Sequence, residues 1–269
     1  MIVFFTVVLV NYSISFAQPP EYCGCDGTNT TDTITVEIPG FPNCFAFITF
    51  EKTICEGLEN YETRILYMDF IVDNCPTFRD SLYPFGTNNP PDEFFMRRMW
   101  IALTSKMQQE YLNRILITYI PSYKAQFYCT GNPNQTTIIS HSFIQGHCHK
   151  FCYAYYYKPW PTSFSKNTTT DSTDNQYRLT LPPFGFNPNS FIRVQYLDCD
   201  VASCCQTQNK FCIDPITGQL VLVSSENFVV VNEQCDYTNP TVCVYLNLTS
   251  IGYILIPFSA DCETSCPWE

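Results

Sequence analysis

Sixteen cysteines in a chain of 269 residues constrain this fold more than any other feature, and all of them follow residue 17. The first 17 residues have the composition of a secretory signal, with an apolar run and a small residue at Ala17. An oxidising compartment turns an even set of cysteines into disulfides, whereas a reducing cytosol would leave reactive thiols. We therefore expect a secreted protein, extracellular or at the cell surface. The cysteines predicted to form disulfides are Cys23, Cys25, Cys44, Cys55, Cys75, Cys129, Cys148, Cys152, Cys199, Cys204, Cys205, Cys212, Cys235, Cys243, Cys262 and Cys266.

The same N-terminal stretch supports a second interpretation, in which residues 1–17 are retained as a donor strand. A secretory signal normally opens with Lys or Arg, yet no charged residue precedes Glu21. Apolar side chains alternate with Asn11, Ser13 and Ser15, which is the period of a half-buried strand. Such a strand could pair with an exposed sheet edge of a neighbouring subunit and build a homopolymer. The alternating apolar residues are Val8, Val10, Tyr12, Ile14 and Phe16.

The charge pattern excludes several classes of partner. The formal net charge is −11 and Lys plus Arg number only 14, so nucleic acid is not an expected partner. No apolar run after residue 17 is long enough to cross a bilayer, so no stable membrane span is expected in the mature chain. Charged residues make up only 14% of the chain, so Ser, Thr, Asn or attached sugar must make the surface polar. The candidate N-glycosylation sites are Asn29, Asn134, Asn167 and Asn247.

A change of composition at residues 162–176 divides the chain. This segment is polar and rich in Ser, Thr and Asn, which indicates an exposed linker or loop. Residues 18–161 before it form a Cys-rich α+β half with eight cysteines, and residues 177–269 after it form a Cys-rich β half with eight more. Equal numbers would allow each half to close its own disulfides, although both halves could also pack as one domain.

One helix stands out in a chain that is otherwise predicted to be mainly β. Asp92 and Glu93 follow two prolines and mark a helix start, and the predicted helix spans about residues 92–110. Its expected core stripe is Met96, Trp100, Leu103, Met107 and Tyr111.

Short segments with alternating or β-branched residues predict strands, and their density favours disulfide-rich, sandwich-like sheets. A hairpin turn is expected at Asp214–Gly218. The predicted strands cover residues 34–38, 44–55, 63–72, 112–120, 191–197, 210–213, 219–224, 228–231, 241–248 and 252–258.

Two clusters carry the only recognisable hints of chemistry. His141, His147 and His149 lie within nine residues, next to Cys148 and Cys152, and are weak candidates for zinc ligands. In an oxidising compartment those two cysteines are more simply explained as disulfide partners, so no metal is expected. A second cluster is aromatic; a buried strand with alternate Tyr residues facing inward is the simpler interpretation, and stacking on sugar rings is the alternative. Its residues are Tyr153, Tyr155, Tyr157 and Trp160.

No catalytic constellation is readable from the sequence. It contains no Gly-x-Ser-x-Gly elbow, no His-Glu-x-x-His motif and no Gly-rich phosphate loop, and no cofactor is expected. Three functions therefore stay open. The first is a non-enzymatic structural subunit of a surface layer or fibre. The second is a secreted carbohydrate-binding module, and the third is a secreted hydrolase that uses carboxylates or the histidines.

Overall fold

The computed structural model describes residues 27–55, 60–119, 124–130, 138–158, 189–199, 204–230, 242–249, 252–264 and 266. Several predicted features lie outside these residues, namely the donor strand, the linker at 162–176, Trp160, Cys23, Cys25, Cys235, Asn134 and Asn167.

The mainly β, disulfide-rich fold class is confirmed. Two α-helices and a short 3-10 helix accompany ten strands among the described residues. The helices are α1 (Pro76–Leu82) and α2 (Glu93–Tyr119), and the 3-10 helix is Lys124–Phe127. The strands are β1 (Thr28–Glu37), β2 (Phe45–Ile54), β3 (Asn60–Ile71), β4 (Ile139–Gly146), β5 (Cys148–Tyr157), β6 (Ser190–Asp198), β7 (Cys204–Ile213), β8 (Leu220–Val230), β9 (Ile254–Ser259) and β10 (Glu263–Thr264).

All ten strands join one sheet, which branches at β3. One side of β3 pairs along its length with β2, and β2 pairs with β1. The other side is shared: residues 60–63 pair with β4 in parallel, and residues 67–71 pair with β6 antiparallel. Two branches therefore leave β3. We call β6, β5, β9 and β10 the β5 branch, and β4, β7 and β8 the β8 branch.

Helix α2 packs against one face of this sheet, as its apolar stripe predicts. Asp92 begins it, because the Asp92 carboxylate accepts a hydrogen bond from the Phe95 N–H at 2.9 Å. Trp100 stacks on Tyr196 of β6 with ring centroids 5.5 Å apart, and Tyr111 meets Phe50 of β2 edge-on at 5.2 Å. All five predicted stripe residues are buried, which confirms the core face of the helix.

The predicted strand at residues 112–120 is wrong, because α2 continues to Tyr119. The β-branched composition of Ile115, Ile117 and Thr118 favours a strand, but such propensities are weak compared with tertiary packing. Leu112 is fully buried in the main core. A continued helix keeps Leu112 beside Tyr111 on the buried face.

The second half of the chain differs from the prediction at two places. Residues 219–224 and 228–231 belong largely to one strand, β8, rather than two. The described part of the predicted strand at 241–248 is irregular, and side-chain hydrogen bonds rather than a strand ladder hold it in place. The Leu246 N–H donates to the Tyr156 hydroxyl at 2.8 Å, and the Tyr245 hydroxyl donates to the Phe258 carbonyl at 3.1 Å.

The hairpin turn at Asp214–Gly218 is confirmed. The Asp214 carboxylate accepts hydrogen bonds from the N–H groups of Ile216 at 2.7 Å and Thr217 at 3.1 Å. These bonds to the charged form lower the pKa of Asp214. Gly218 takes a positive φ of 69°, which a residue with a side chain would adopt only at a cost.

Two of the disulfides connect residues on opposite sides of the segment 162–176. Cys129–Cys212 and Cys152–Cys243 each join the first half of the chain to the second. The idea that each half closes its own disulfides is therefore wrong, as is the pairing of Cys148 with Cys152. The other bonds between described residues are Cys44–Cys75, Cys199–Cys262 and Cys205–Cys266.

Candidate assembly surface

Strand β8 is the outermost strand of the β8 branch, and it exposes aliphatic side chains on both of its faces. It pairs with β7 on one side, and none of the described strands pairs with its other side. Leu222 and Val223 are 53% and 52% exposed, and Val221 and Val229 are also exposed. Only Glu226 carries a charge in this eleven-residue strand. Natural edge strands are usually shortened, charged or covered, so a long apolar edge marks a surface for strand addition.

A β-bulge decides which β8 side chains share a face. The register to β7 shifts between Lys210, opposite Ser224, and Phe211, opposite Leu222, so Val223 has no direct partner. One extra residue reverses the alternation of side chains along the strand. Leu222 therefore lies on the same side as Ser225 and Asn227, and these three residues line one groove.

The groove lies between α2 and the β8 branch, and its volume is about 310 Å³. Helix α2 contributes Ile101, Ser105 and Gln109 at intervals of four, so they form one exposed stripe. The aromatic side chains are Phe143 of β4 and Phe211 of β7. The remaining lining residues are Thr104, Gln108, Thr207, Asn209, Leu222, Ser225 and Asn227, so none of the lining residues is charged.

Hydrogen bonds within the groove hold the side-chain amides of Gln108, Asn209 and Asn227. The Asn209 side-chain amide donates to the Gln108 side-chain carbonyl at 3.2 Å, which links β7 to α2. The Thr207 hydroxyl donates to the Asn227 side-chain carbonyl at 3.1 Å. The Thr104 hydroxyl is buried and has no hydrogen-bond partner among the described residues. The surface is thus a neutral groove of amides, hydroxyls and apolar side chains beside an exposed strand edge.

The aromatic cluster predicted for sugar stacking lies elsewhere, inside the molecule. Tyr153 and Tyr155 are buried in the main core, and Tyr157 packs against it at half-burial. Burial raises the pKa of the Tyr153 hydroxyl well above its usual value. A sugar can stack only on an accessible ring face, so Tyr153 and Tyr155 do not form the predicted platform.

The three histidines are not brought together around one point. His141 is buried on β4, where its Nε2 lies 3.1 Å from the Thr63 hydroxyl. His149 on β5 stacks on Tyr196 with ring centroids 4.2 Å apart, and its Nε2 lies 3.2 Å from a Glu263 carboxylate oxygen. Burial lowers the pKa of His141 to about 3 and that of His149 to about 4. Within the described ranges, no group of three or more His, Cys, Asp or Glu residues could hold a metal ion.

A buried ion pair at the base of the β5 branch is a further candidate for a site that acts on a substrate. Asp69 and Arg193 face each other across β3 and β6, and their two hydrogen bonds measure 2.6 and 2.5 Å. Burial raises the pKa of the Asp69 carboxyl, and the Arg193 guanidinium opposes that rise. The Arg193 guanidinium also lies 4.0 Å from the Tyr67 ring centroid. With both side chains fully covered, the pair joins two strands rather than meeting a substrate.

Two of the predicted glycosylation sites, Asn29 and Asn247, are described, and both are exposed. The Asn29 side-chain carbonyl accepts a hydrogen bond from the Thr53 hydroxyl at 2.6 Å, and Asn247 accepts one from the Thr249 hydroxyl at 2.7 Å. Whether these positions carry glycans stays a prediction.

Sequence reasoning missed the groove, because its lining residues come from four separate elements. The signal for it in the sequence is Ile101, an apolar residue followed by the polar Ser105 and Gln109 on the exposed face of α2.

No family model matches this chain, and no match was found among curated proteins or solved structures. Neither described helix combines the length and apolar character that a bilayer crossing requires.

Proposed function

We propose that this protein is a non-enzymatic, extracellular structural subunit that polymerises by strand addition into a fibre or surface layer. The observation that carries this proposal is the exposed aliphatic edge of β8. Its neighbour β7 is anchored by Cys129–Cys212 and Cys205–Cys266, so the edge is presented by a rigid support.

The donor in this proposal is the N-terminal segment of the next subunit. Its alternating residues Val8, Val10, Tyr12, Ile14 and Phe16 have the pattern of a strand with one apolar face. One subunit then donates a strand at one place and accepts one at another. A heterologous contact of this kind does not close on itself and produces a filament.

Disulfide density supports the extracellular part of the proposal. No cysteine among the described residues is free, and five disulfides join described cysteines. Disulfides persist in oxidising compartments and make a module durable outside the cell.

Negative-stain electron microscopy of the secreted protein, with N-terminal sequencing of the same sample, tests the proposal. We expect filaments or sheets whose subunits retain residues 8–16. A monodisperse monomer whose chain starts at Gln18 would contradict it.

A further inference from the structure

The groove between α2 and β8 offers a site for the side chains of an added strand. A strand that pairs with the free side of β8 projects every second side chain toward the face that carries Leu222, Ser225 and Asn227. Those side chains would reach Ile101 on the opposite wall of the groove. Backbone pairing would supply affinity, and the groove would supply specificity.

Charge favours one particular occupant. The groove is lined by uncharged residues only, and burying an unpaired charge in it would be costly. The first 20 residues of the chain carry no charged side chain, in a sequence with 14 basic and 25 acidic residues. An acidic or basic peptide would gain no partner in this groove.

Pattern and length favour the same segment. Val8–Phe16 places five apolar side chains on one face and Leu9, Asn11, Ser13 and Ser15 on the other. Nine extended residues span about 30 Å and the eleven residues of β8 about 36 Å, so the two match in length. The apolar face would cover Leu222 and Ile101, while the other face, polar except for Leu9, would remain in water.

We propose that the α2–β8 groove is the acceptor for the segment Val8–Phe16 of a second copy of this chain. This inference rests on the proposed function and assigns the partner and the acceptor residues within it. The donor's apolar side chains enter the groove and its backbone extends the sheet beyond β8.

A synthetic nonapeptide of the sequence VLVNYSISF, labelled with a fluorophore, provides the test. It is titrated against the full-length protein at a concentration below the onset of assembly, and anisotropy reports binding. Ile101→Arg places a charge in the groove and should weaken peptide binding by about tenfold or more. The matched control is Phe94→Arg on the same helix, which is 68% exposed and outside the groove lining, and it should bind like the wild type.

A second peptide keeps the test independent of protein folding. Replacing Ser13 by Pro in the peptide removes a backbone donor, and binding should fall by about tenfold or more. Equal binding by wild type and Ile101→Arg would overturn the groove assignment, and filaments formed by both would leave the proposed function intact. Absence of both filaments and peptide binding would remove the proposed function as well. If the protein does not bind the peptide because its own N-terminus occupies β8, the donor is not a second copy and that assignment is wrong.

Discussion

Strands β5 and β8, one in each branch that leaves β3, differ in how their two faces are covered. In the β5 branch, Tyr153 faces the main core, while Tyr156 on the opposite face lies beneath residues 242–249 and Tyr253. In the β8 branch, the last strand exposes Val221 on one face and Leu222 on the other. Among the described residues, β5 is therefore covered on both faces, whereas β8 exposes aliphatic side chains on both faces. We therefore expect substitutions in the β5 branch to affect mainly stability, and substitutions at the β8 edge to affect mainly the proposed assembly.

The largest expected effect distinguishes the two disulfides that join described residues of the first half of the chain to described residues of the second. Removing Cys152–Cys243 by a double alanine substitution should lower the free energy of unfolding by about 4 to 5 kcal/mol, from the entropy of a long loop. The bond spans 91 residues and Cys129–Cys212 spans 83, so loop entropy alone predicts nearly equal losses.

We expect Cys152–Cys243 to cost more, because its loss also releases the segment that covers Tyr156. Chemical denaturation of both double variants measures the difference. A greater loss of unfolding free energy on removing Cys129–Cys212 would contradict the proposed difference between the branches.

The second-largest expected loss in unfolding free energy concerns the ion pair at the base of the β5 branch. Asp69→Ala leaves the Arg193 guanidinium buried without its carboxylate, and we expect a loss of about 3 to 5 kcal/mol in unfolding free energy. A double variant, Asp69→Leu with Arg193→Met, should recover most of this loss because it removes both charges. Equal destabilisation of the single and double variants in urea would show that charge burial is not the cause.

Acid should destabilise the protein through His141 at the base of the β8 branch. Its pKa is about 3 in the folded protein and about 6.5 when unfolded, so the unfolded state binds the proton first as the pH falls. The stabilisation is complete above pH 6.5 and declines as the pH falls toward 3. At pH 5 the loss is about 2 kcal/mol relative to pH 7.

Unfolding free energies of the wild type and of His141→Gln, measured from pH 7 to pH 4.5, check this. The variant should show the shallower decline with falling pH. Parallel curves would contradict burial of neutral His141.

The smallest effect on stability belongs to the open edge. Leu222→Lys adds a charge to an exposed strand and should change the unfolding free energy by less than about 0.5 kcal/mol, yet abolish assembly. Val242→Lys is the control, since Val242 is 77% exposed over the β5 branch. Filaments should persist in this control. If both variants assemble like the wild type by electron microscopy, β8 is not the acceptor edge.

Local patterns in the sequence predicted those elements that one segment determines alone. The spacing of Met96, Trp100 and Leu103 and the turn chemistry of Asp214–Gly218 contain all the information needed. Residues 112–119 were mispredicted because burial of Leu112 outweighs β-branched propensity. Cys152–Cys243 spans two elements far apart in sequence, so counting cysteines could not supply the pairing.

The candidate site was harder to predict than the fold. The composition around Tyr153 and Tyr155 allows a sugar platform as well as the simpler buried strand, and only the packing of both faces of β5 decides between them. The open edge of β8 depends on strand order, which alternation does not encode. The bulge at Val223 then decides which side chains line the groove.

Site-specific cross-linking from Tyr12 tests the central claim most directly. The full-length chain carries the photo-crosslinking residue p-benzoylphenylalanine in place of Tyr12 and is mixed with an isotopically labelled wild-type copy before irradiation and mass spectrometry. We predict cross-links between two copies that join position 12 to residues 101–109 of α2 or 220–230 of β8. Cross-links confined to one copy, or a mature chain that lacks residue 12, would contradict the account.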